Sequence, residues 1–521
     1  MFTLKLKDIY LGSTDAKNEV LSPDPAEIDR FLKSYVTPPS LSVERFATRE
    51  KYFIVGLKGT GKTALLRYVS LKLDTSQGAL SRFILFKSEV DEDLRHDFLR
   101  AARVEVVEEN SDSVRADDFE MIWRWFIYRK IAQVLDNHDQ SAFQDNAVRR
   151  QFCTLVNSEY LPKKEKTGLM RLIPAIKKGS VEISKDPKLG LELTWDENGV
   201  ARIQFNELVR KADQLFEELS PDTRNLNLFF DELELNYSSK KQFQRDSQLV
   251  RDLIVSIEKL NAIAKRRGFP LCLYAAVRSE VLISIDALGK EINKPMADFG
   301  AEILWNRPEL SPEQQPLLYL IEQRINNSRV ERGLPKLQSA ALWHSYFPTT
   351  VLGQSPQLYI LHSSWFRPRD VVRLLLAVQE QYPEEVSFTL PALEAVRKKY
   401  STASWVEMTE ELRVKYKASE INGIKYLFYG FPQVSSLTEI MQRVNTISDD
   451  RPELAELLAV HSAKAVLKDL YRVGVIGNIS RTQADKKRRD RVRFSFRGDD
   501  EILFHQKIFV HNALKSYLSA T

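Results

Sequence analysis

Gly56 is followed by four residues and then by Gly61, Lys62 and Thr63, within the segment KYFIVGLKGTGKTALLRYVSLKL. Glycine, lysine and hydroxyl residues at that spacing make a phosphate-cradling loop. Backbone N–H groups must curl around a β-phosphate, and glycines permit both the curl and the close approach. Lys62 then reaches the β and γ oxygens, and Thr63 offers a hydroxyl to Mg2+. The candidate nucleotide contacts are Gly56, Lys58, Gly59, Thr60, Gly61, Lys62, Thr63 and Ala64, with ATP and Mg2+ as the expected ligands. A Gly-rich turn without a ligand is the alternative, and the context argues against it. Tyr52-Phe53-Ile54-Val55 reads as a short strand before the loop, and ALLRYVSLKL opens a helix whose N-terminal dipole favours an anion.

Such a loop needs an acid at the end of a second strand, after apolar residues, because a central parallel strand is buried on both faces. The run NLNLFFDELE, from Asn225 to Glu234, fits. Asp231 is the candidate metal-side carboxylate, and Glu232 the candidate base that polarises an attacking water. The competing reading is the first turn of a surface helix, where acids are also favoured. The next apolar run, Phe269 to Val277, ends in Arg278-Ser279-Glu280 and reads as the neighbouring strand. Arg278 either senses a γ-phosphate as a further catalytic group or makes an ion pair with Glu280 or Asp231.

These residues require a scaffold. The expected fold is α/β, a P-loop NTPase core with a three-layer parallel sheet, a helical and β insertion, an α-helical lid and a C-terminal winged-helix domain. The boundaries read as an N-terminal segment 1–45, an ATPase core 46–305 with an insertion at about 90–220, a lid 306–384 and a winged helix 385–521. About 170 residues separate the loop from the acidic strand, more than a compact core needs. Within them EMIWRWFIYRKIAQVL places Ile122, Trp125, Phe126, Ile131 and Val134 near one helical face. Residues 178–206 switch to period two, with Asp196-Glu197-Asn198-Gly199 as a turn, which predicts a small antiparallel sheet.

Residues 310–382 read as helical and contain Trp365-Phe366-Arg367-Pro368-Arg369-Asp370. Proline presets the first turn of a helix, and Asp370 suits its dipole. Arg367 or Arg369 either reaches a nucleotide as a lid arginine, Arg369 being the catalytic candidate, or docks the lid through a salt bridge. Further on, helix, strand, basic turn and strand follow in the order of a winged helix. The turn RTQADKKRRDRVRFSFR makes Lys486, Lys487, Arg488, Arg489 and Arg491 candidate nucleic-acid contacts. A solvated loop, or a docking surface for an acidic partner, is the other reading.

Lys and Arg total 76 against 71 Asp and Glu, a net charge of +5 that names no partner by itself. No apolar run approaches the roughly 20 residues of a membrane span. The N-terminus lacks the order of a secretory signal, so a cytoplasmic protein is expected. Cys153 and Cys272 in apolar contexts read as buried thiols, and the seven His residues show no metal-binding spacing. Metal is expected only with a ligand.

Taken together, Gly12-Ser13-Thr14-Asp15-Ala16, GLKGTGKTAL, LFFDELE, VRSEV and the Arg-Pro-Arg-Asp element resemble a bacterial family of AAA+-like P-loop ATPases. That family is similar to the STAND-type and origin-recognition-type ATPases. The resemblance spans most of the chain outside residues 90–220. It implies Lys62 and Thr63 as phosphate and Mg2+ ligands, Asp231 as metal ligand and Glu232 as base. It departs at Glu280, where the family has Asp after Arg-Ser, and no trans-acting arginine finger is identified. The expectation is an ATP-hydrolysing switch that self-associates or controls an effector, in a setting such as antiviral defence. The alternative is a DNA-binding ATPase that loads or remodels partners on duplex DNA through its wing, and a third reading is a nucleotide-stabilised scaffold.

Overall fold

The computed structural model describes residues 3–16, 18, 24–90, 119–136, 141–157, 176–177, 180–184, 200–233, 240–286, 292–413, 415–481, 490–499 and 501–521. They form two compact units. One comprises Leu41–Lys58 and Lys62–Ile303; the other comprises Met1–Ser40, Gly59–Gly61 and Leu304–Thr521. Residues 306–384 and 385–521, read as separate domains in the sequence, fall in the same unit.

The first unit is built on a five-stranded sheet of β1 (Phe53–Gly56), β2 (Leu80–Leu85), β6 (Leu226–Asp231), β7 (Leu271–Arg278) and β8 (Gly300–Glu302), in the order β2-β6-β7-β1-β8. Every pairing is parallel. All six residues of β6 and the first seven of β7 are buried, so the central strands are covered on both faces. Helix α1 (Lys62–Gln77) leaves the loop after β1 and packs on β1, β2, β6 and β7.

Three aromatic rings fix the register. Phe83, Phe229 and Tyr274 are cross-strand partners on β2, β6 and β7, stacked at 5.0 and 4.8 Å. Each such pair contributes about 0.5–1.5 kcal/mol beyond its area. The same register sets Asp231 beside Leu85 and Arg278 beside Gly56.

Between β2 and β6 lie α2 (Glu120–Asp136), the helices Ala147–Asn157 and Phe205–Glu217, and a small antiparallel sheet of β3 (Ile176–Lys177), β4 (Ser180–Ser184) and β5 (Val200–Gln204). The turn at 196–199 lies outside the described residues. Trp123 and Trp125 are fully buried, so they belong to the core. Helix α3 (Lys240–Arg267) packs on α2 and β7, and its Asn261 side chain exchanges two 2.8 Å hydrogen bonds with the Leu273 backbone. Cys153 and Cys272 are buried, which pushes both thiols up to about 12.

The second unit is mainly helical. It includes α4 (Pro316–Glu331), α5 (Pro368–Gln381), α6 (Arg397–Leu412) and α7 (Ala463–Val473), with an antiparallel sheet ordered β11-β10-β12-β9. Those strands are β9 (Val434–Ser435), β10 (Ile476–Arg481), β11 (Asp490–Arg493) and β12 (Lys507–Val510). Pro368 starts α5 and Asp370 lies in its first turn, as helix-start chemistry requires. Helix α7 is capped by Ser462 and stopped by Gly474 at φ +83°. A Cβ on Gly474 would lie 2.9 Å from the Trp365 ring, whose indole N–H donates to the Gly474 carbonyl at 2.7 Å, so only glycine fits. Among the described residues, no helix is long and apolar enough to cross a membrane.

Candidate functional site

Strand β1 delivers the chain to Gly56, and α1 begins at Lys62, so the glycine-rich loop is a strand-to-helix connection. Gly59 (φ +81°) and Gly61 (φ +96°) occupy left-handed backbone that other residues resist, which explains their type at these positions. The Lys62 ammonium donates to the carbonyls of Gly56 and Leu57 at 2.9 and 2.8 Å. Its charge therefore lies over the loop's own backbone.

Asp231 ends β6 and is buried. Its Oδ1 accepts the Glu232 N–H at 2.8 Å, while Oδ2 is buried without a close hydrogen-bond partner. Burial raises the carboxyl above its ordinary value; the Thr63 hydroxyl, the Glu232 N–H and the Lys62 charge pull it back in part. Lys62 and Thr63 thus both act on Asp231, although the two segments lie far apart in sequence. A buried carboxylate oxygen without a close hydrogen-bond partner, on an acid that also interacts with a hydroxyl, belongs to a donor set suited to a hard cation such as Mg2+. Among the described residues no group of three or more His, Cys, Asp and Glu is placed to hold a metal ion.

Glu232 follows at φ +58°, a left-handed conformation unusual for a residue with a Cβ. Strain of this kind costs about 1–3 kcal/mol and clusters at functional sites. The surface-helix reading of Asp231-Glu232 is excluded, because Asp231 is the last residue of a central strand.

Arg278, the last residue of β7, is the register partner of Gly56. Its guanidinium lies 3.8 Å from the Glu280 carboxylate, so of the two proposed ion pairs the one with Glu280 is present.

In the second unit, Arg369 pairs with Glu407 at 2.8 Å and donates through Nε to the Thr14 carbonyl at 2.9 Å. Arg367, buried, pairs with Glu411 at 3.1 Å. Arg373 bonds Glu407 and lies 3.3 Å from Asp370. Burial opposes ionisation of Glu407, yet Arg373 and Arg369 hold it down at about 2. Both arginines thus make salt bridges within the second unit. The Arg369 N–H also approaches the Gly59 carbonyl at 3.4 Å, and the Trp305 indole donates to the Thr60 carbonyl at 2.9 Å.

Of the basic turn, Lys486, Lys487, Arg488 and Arg489 lie outside the described residues, and Arg491 is placed only as a strand position opposite Ser480. Arg493 pairs with Asp499 at 2.7 Å. Sequence reasoning missed a second basic feature. Lys464, Lys468 and Arg472, four residues apart on α7, form an exposed stripe opposite the buried Val466, Leu467, Leu470 and Tyr471. The four-residue spacing was the available signal.

Residues 315–409 match the family described as the FunZ-associated C-terminal helical domain. That stretch spans α4, α5 and most of α6, and holds Arg367, Arg369, Asp370, Arg373 and Glu407. No curated protein matches the chain.

Proposed function

We propose that the chain is an ATPase that binds MgATP at the Gly56–Ala64 loop and uses hydrolysis as a molecular switch controlling self-association or an effector. The observation that carries this is the meeting of Lys62, Thr63 and the buried Asp231 at the end of a central parallel strand. In this reading the loop is a P-loop. The Lys58–Ala64 backbone N–H groups bind the phosphates, and Lys62 exchanges the Gly56 and Leu57 carbonyls for β and γ oxygens. Thr63 and Asp231 are the residues that would hold Mg2+, which when bound offsets charge on the phosphates. Glu232 orients and deprotonates the attacking water, fixed in place by its strained backbone. Arg278 stabilises charge developing on the γ-phosphate.

Steady-state ATP hydrolysis tests this. Lys62→Ala is expected to abolish nucleotide binding. Glu232→Gln is expected to keep binding and lose turnover by about 100-fold or more, the scale of a positioned general base. Wild-type turnover in Glu232→Gln removes the residue from the mechanism, and absence of MgATP binding by the wild-type chain ends the proposal.

The exposed Lys464–Lys468–Arg472 stripe favours a second reading, in which the C-terminal module is a winged helix that engages duplex DNA through α7 and the β10–β11 hairpin. ATP hydrolysis stimulated by duplex at fixed low salt supports it; indifference to duplex favours a protein-facing switch.

A further inference from the structure

A cavity of about 140 Å3 in the second unit is independent of the nucleotide site. Its walls come from the stretch that matches the helical-domain family and from the C-terminal segment. Arg397 and Tyr400 of α6 line it together with Asn512, Lys515 and Ser516. Two cations line it, and no carboxylate does. Arg397 keeps a pair with Glu394 at 3.1 Å, outside the lining, whereas Lys515 has no ion pair among the described residues.

Glu394 offsets Arg397, so Lys515 leaves the cavity with a positive charge that favours an anion there. The remaining lining includes neutral hydrogen-bonding side chains such as Gln354, Asn512 and Ser516. The guanidinium, the ammonium and these amide and hydroxyl groups are donors suited to an oxyanion with several acceptor oxygens. The mouth includes a tight turn, with Val351 and Gln354 exchanging backbone hydrogen bonds at 2.9 and 3.1 Å. Its centre, Leu352, has φ +51° and is 56% exposed, a strained position that holds an apolar side chain at the rim.

We propose that this cavity binds a small oxyanion of the phosphate class, free or as a monoester, between Arg397 and Lys515. Bound there, the anion ties α6 to the chain terminus. It thereby reinforces a junction already made by the Tyr517 N–H to Ser401 hydrogen bond at 2.8 Å and the Trp405–Tyr517 stack at 5.4 Å.

The test uses the full-length chain carrying Lys62→Ala, so that phosphate affinity at the glycine-rich loop is removed. Inorganic phosphate, and separately glycerol phosphate, are titrated with ionic strength held constant by chloride. Binding of one anion per chain in calorimetry, with an unfolding midpoint that rises with its concentration, is the expected result. Phosphate active alone or equally identifies a free-anion site; glycerol phosphate active alone identifies an ester whose carbon chain rests on Leu352. Lys515→Gln is expected to weaken binding at least tenfold, and Arg397→Gln with Lys515→Gln to abolish it. Should the double variant not fold, Lys515→Gln alone decides, since it breaks no ion pair. No stabilisation by either anion, or equal binding by Lys515→Gln, overturns the proposal.

Discussion

Gly56 and Arg278 are register partners across β1 and β7, so the first residue of the loop and the last residue of the neighbouring strand end at the same level of the sheet. The Arg278 guanidinium is drawn toward Glu280 by a contact of only 3.8 Å. A half-buried pair of that length contributes about 0–1 kcal/mol. Arg278→Ala is therefore expected to shift the melting midpoint little and to lower ATP turnover about tenfold or more. Unchanged turnover together with lowered stability assigns the arginine to the ion pair alone.

Glu232→Gly separates strain from chemistry. Glycine accepts φ +58° without a Cβ penalty, so the variant is expected to gain about 0.5–1 kcal/mol in stability after its greater unfolded-state entropy is counted. Turnover is expected to vanish. Denaturant unfolding read beside hydrolysis checks both, and a destabilised variant contradicts the strain argument.

Asp231 is raised by burial above its ordinary 3.8, so the folded state holds a proton more tightly than the unfolded chain. The stability it confers is full below the unfolded value and is lost as pH rises through the folded one. Above the unfolded value, burial of this acid is therefore a cost. Asp231→Asn is expected to raise the melting midpoint of the nucleotide-free chain near pH 7 and to erase Mg2+-dependent stabilisation by ATP. A midpoint lowered at pH 7 contradicts the sign.

Glu407 titrates in the opposite sense. Burial works against its ionisation, but Arg373 and Arg369 hold it down from 4.5 to about 2. Its stabilisation is full above the unfolded value and is lost as pH falls from about 4.5 toward 2. Glu407→Gln is expected to cost about 3 kcal/mol at neutral pH, because it removes the carboxylate that two guanidinium groups share, and to flatten the acid limb between those values. Melting curves across that window check it.

Replacing Lys464, Lys468 and Arg472 by Glu is expected to weaken duplex binding uniformly across sequences. The slope of log affinity against log salt should become shallower by about 2–3, one unit for each lost phosphate contact. An unchanged slope makes the stripe a protein-facing surface.

The strand-to-helix turn was legible because left-handed backbone calls for glycine at Gly59 and Gly61, and the place of Asp231 because a strand buried on both faces writes an apolar run before its acid. The order β2-β6-β7-β1-β8 was not, since parallel pairing joins segments such as Leu85 and Asp231 that share no local signal. Glu407 lies 38 positions beyond Arg369, and nothing in its helix marks it as a partner. The stripe on α7 hid among residues that also fit a core helix; its exposure became visible only once Val466, Leu467, Leu470 and Tyr471 were seen to face inward.

The stacked rings of Phe83, Phe229 and Tyr274 carry a kinetic consequence. Side chains alternate along a strand, so a slip of one residue between β6 and either neighbour would turn Asp231 to the opposite face of the sheet. The acid is therefore correctly aimed only after three segments separated by long stretches of chain have paired. Such closure is slow, being dominated by non-local contacts. On the proposed function, the ability to bind MgATP emerges late in refolding and in step with burial of these rings, making ligand capture a stopwatch for completion of the central sheet.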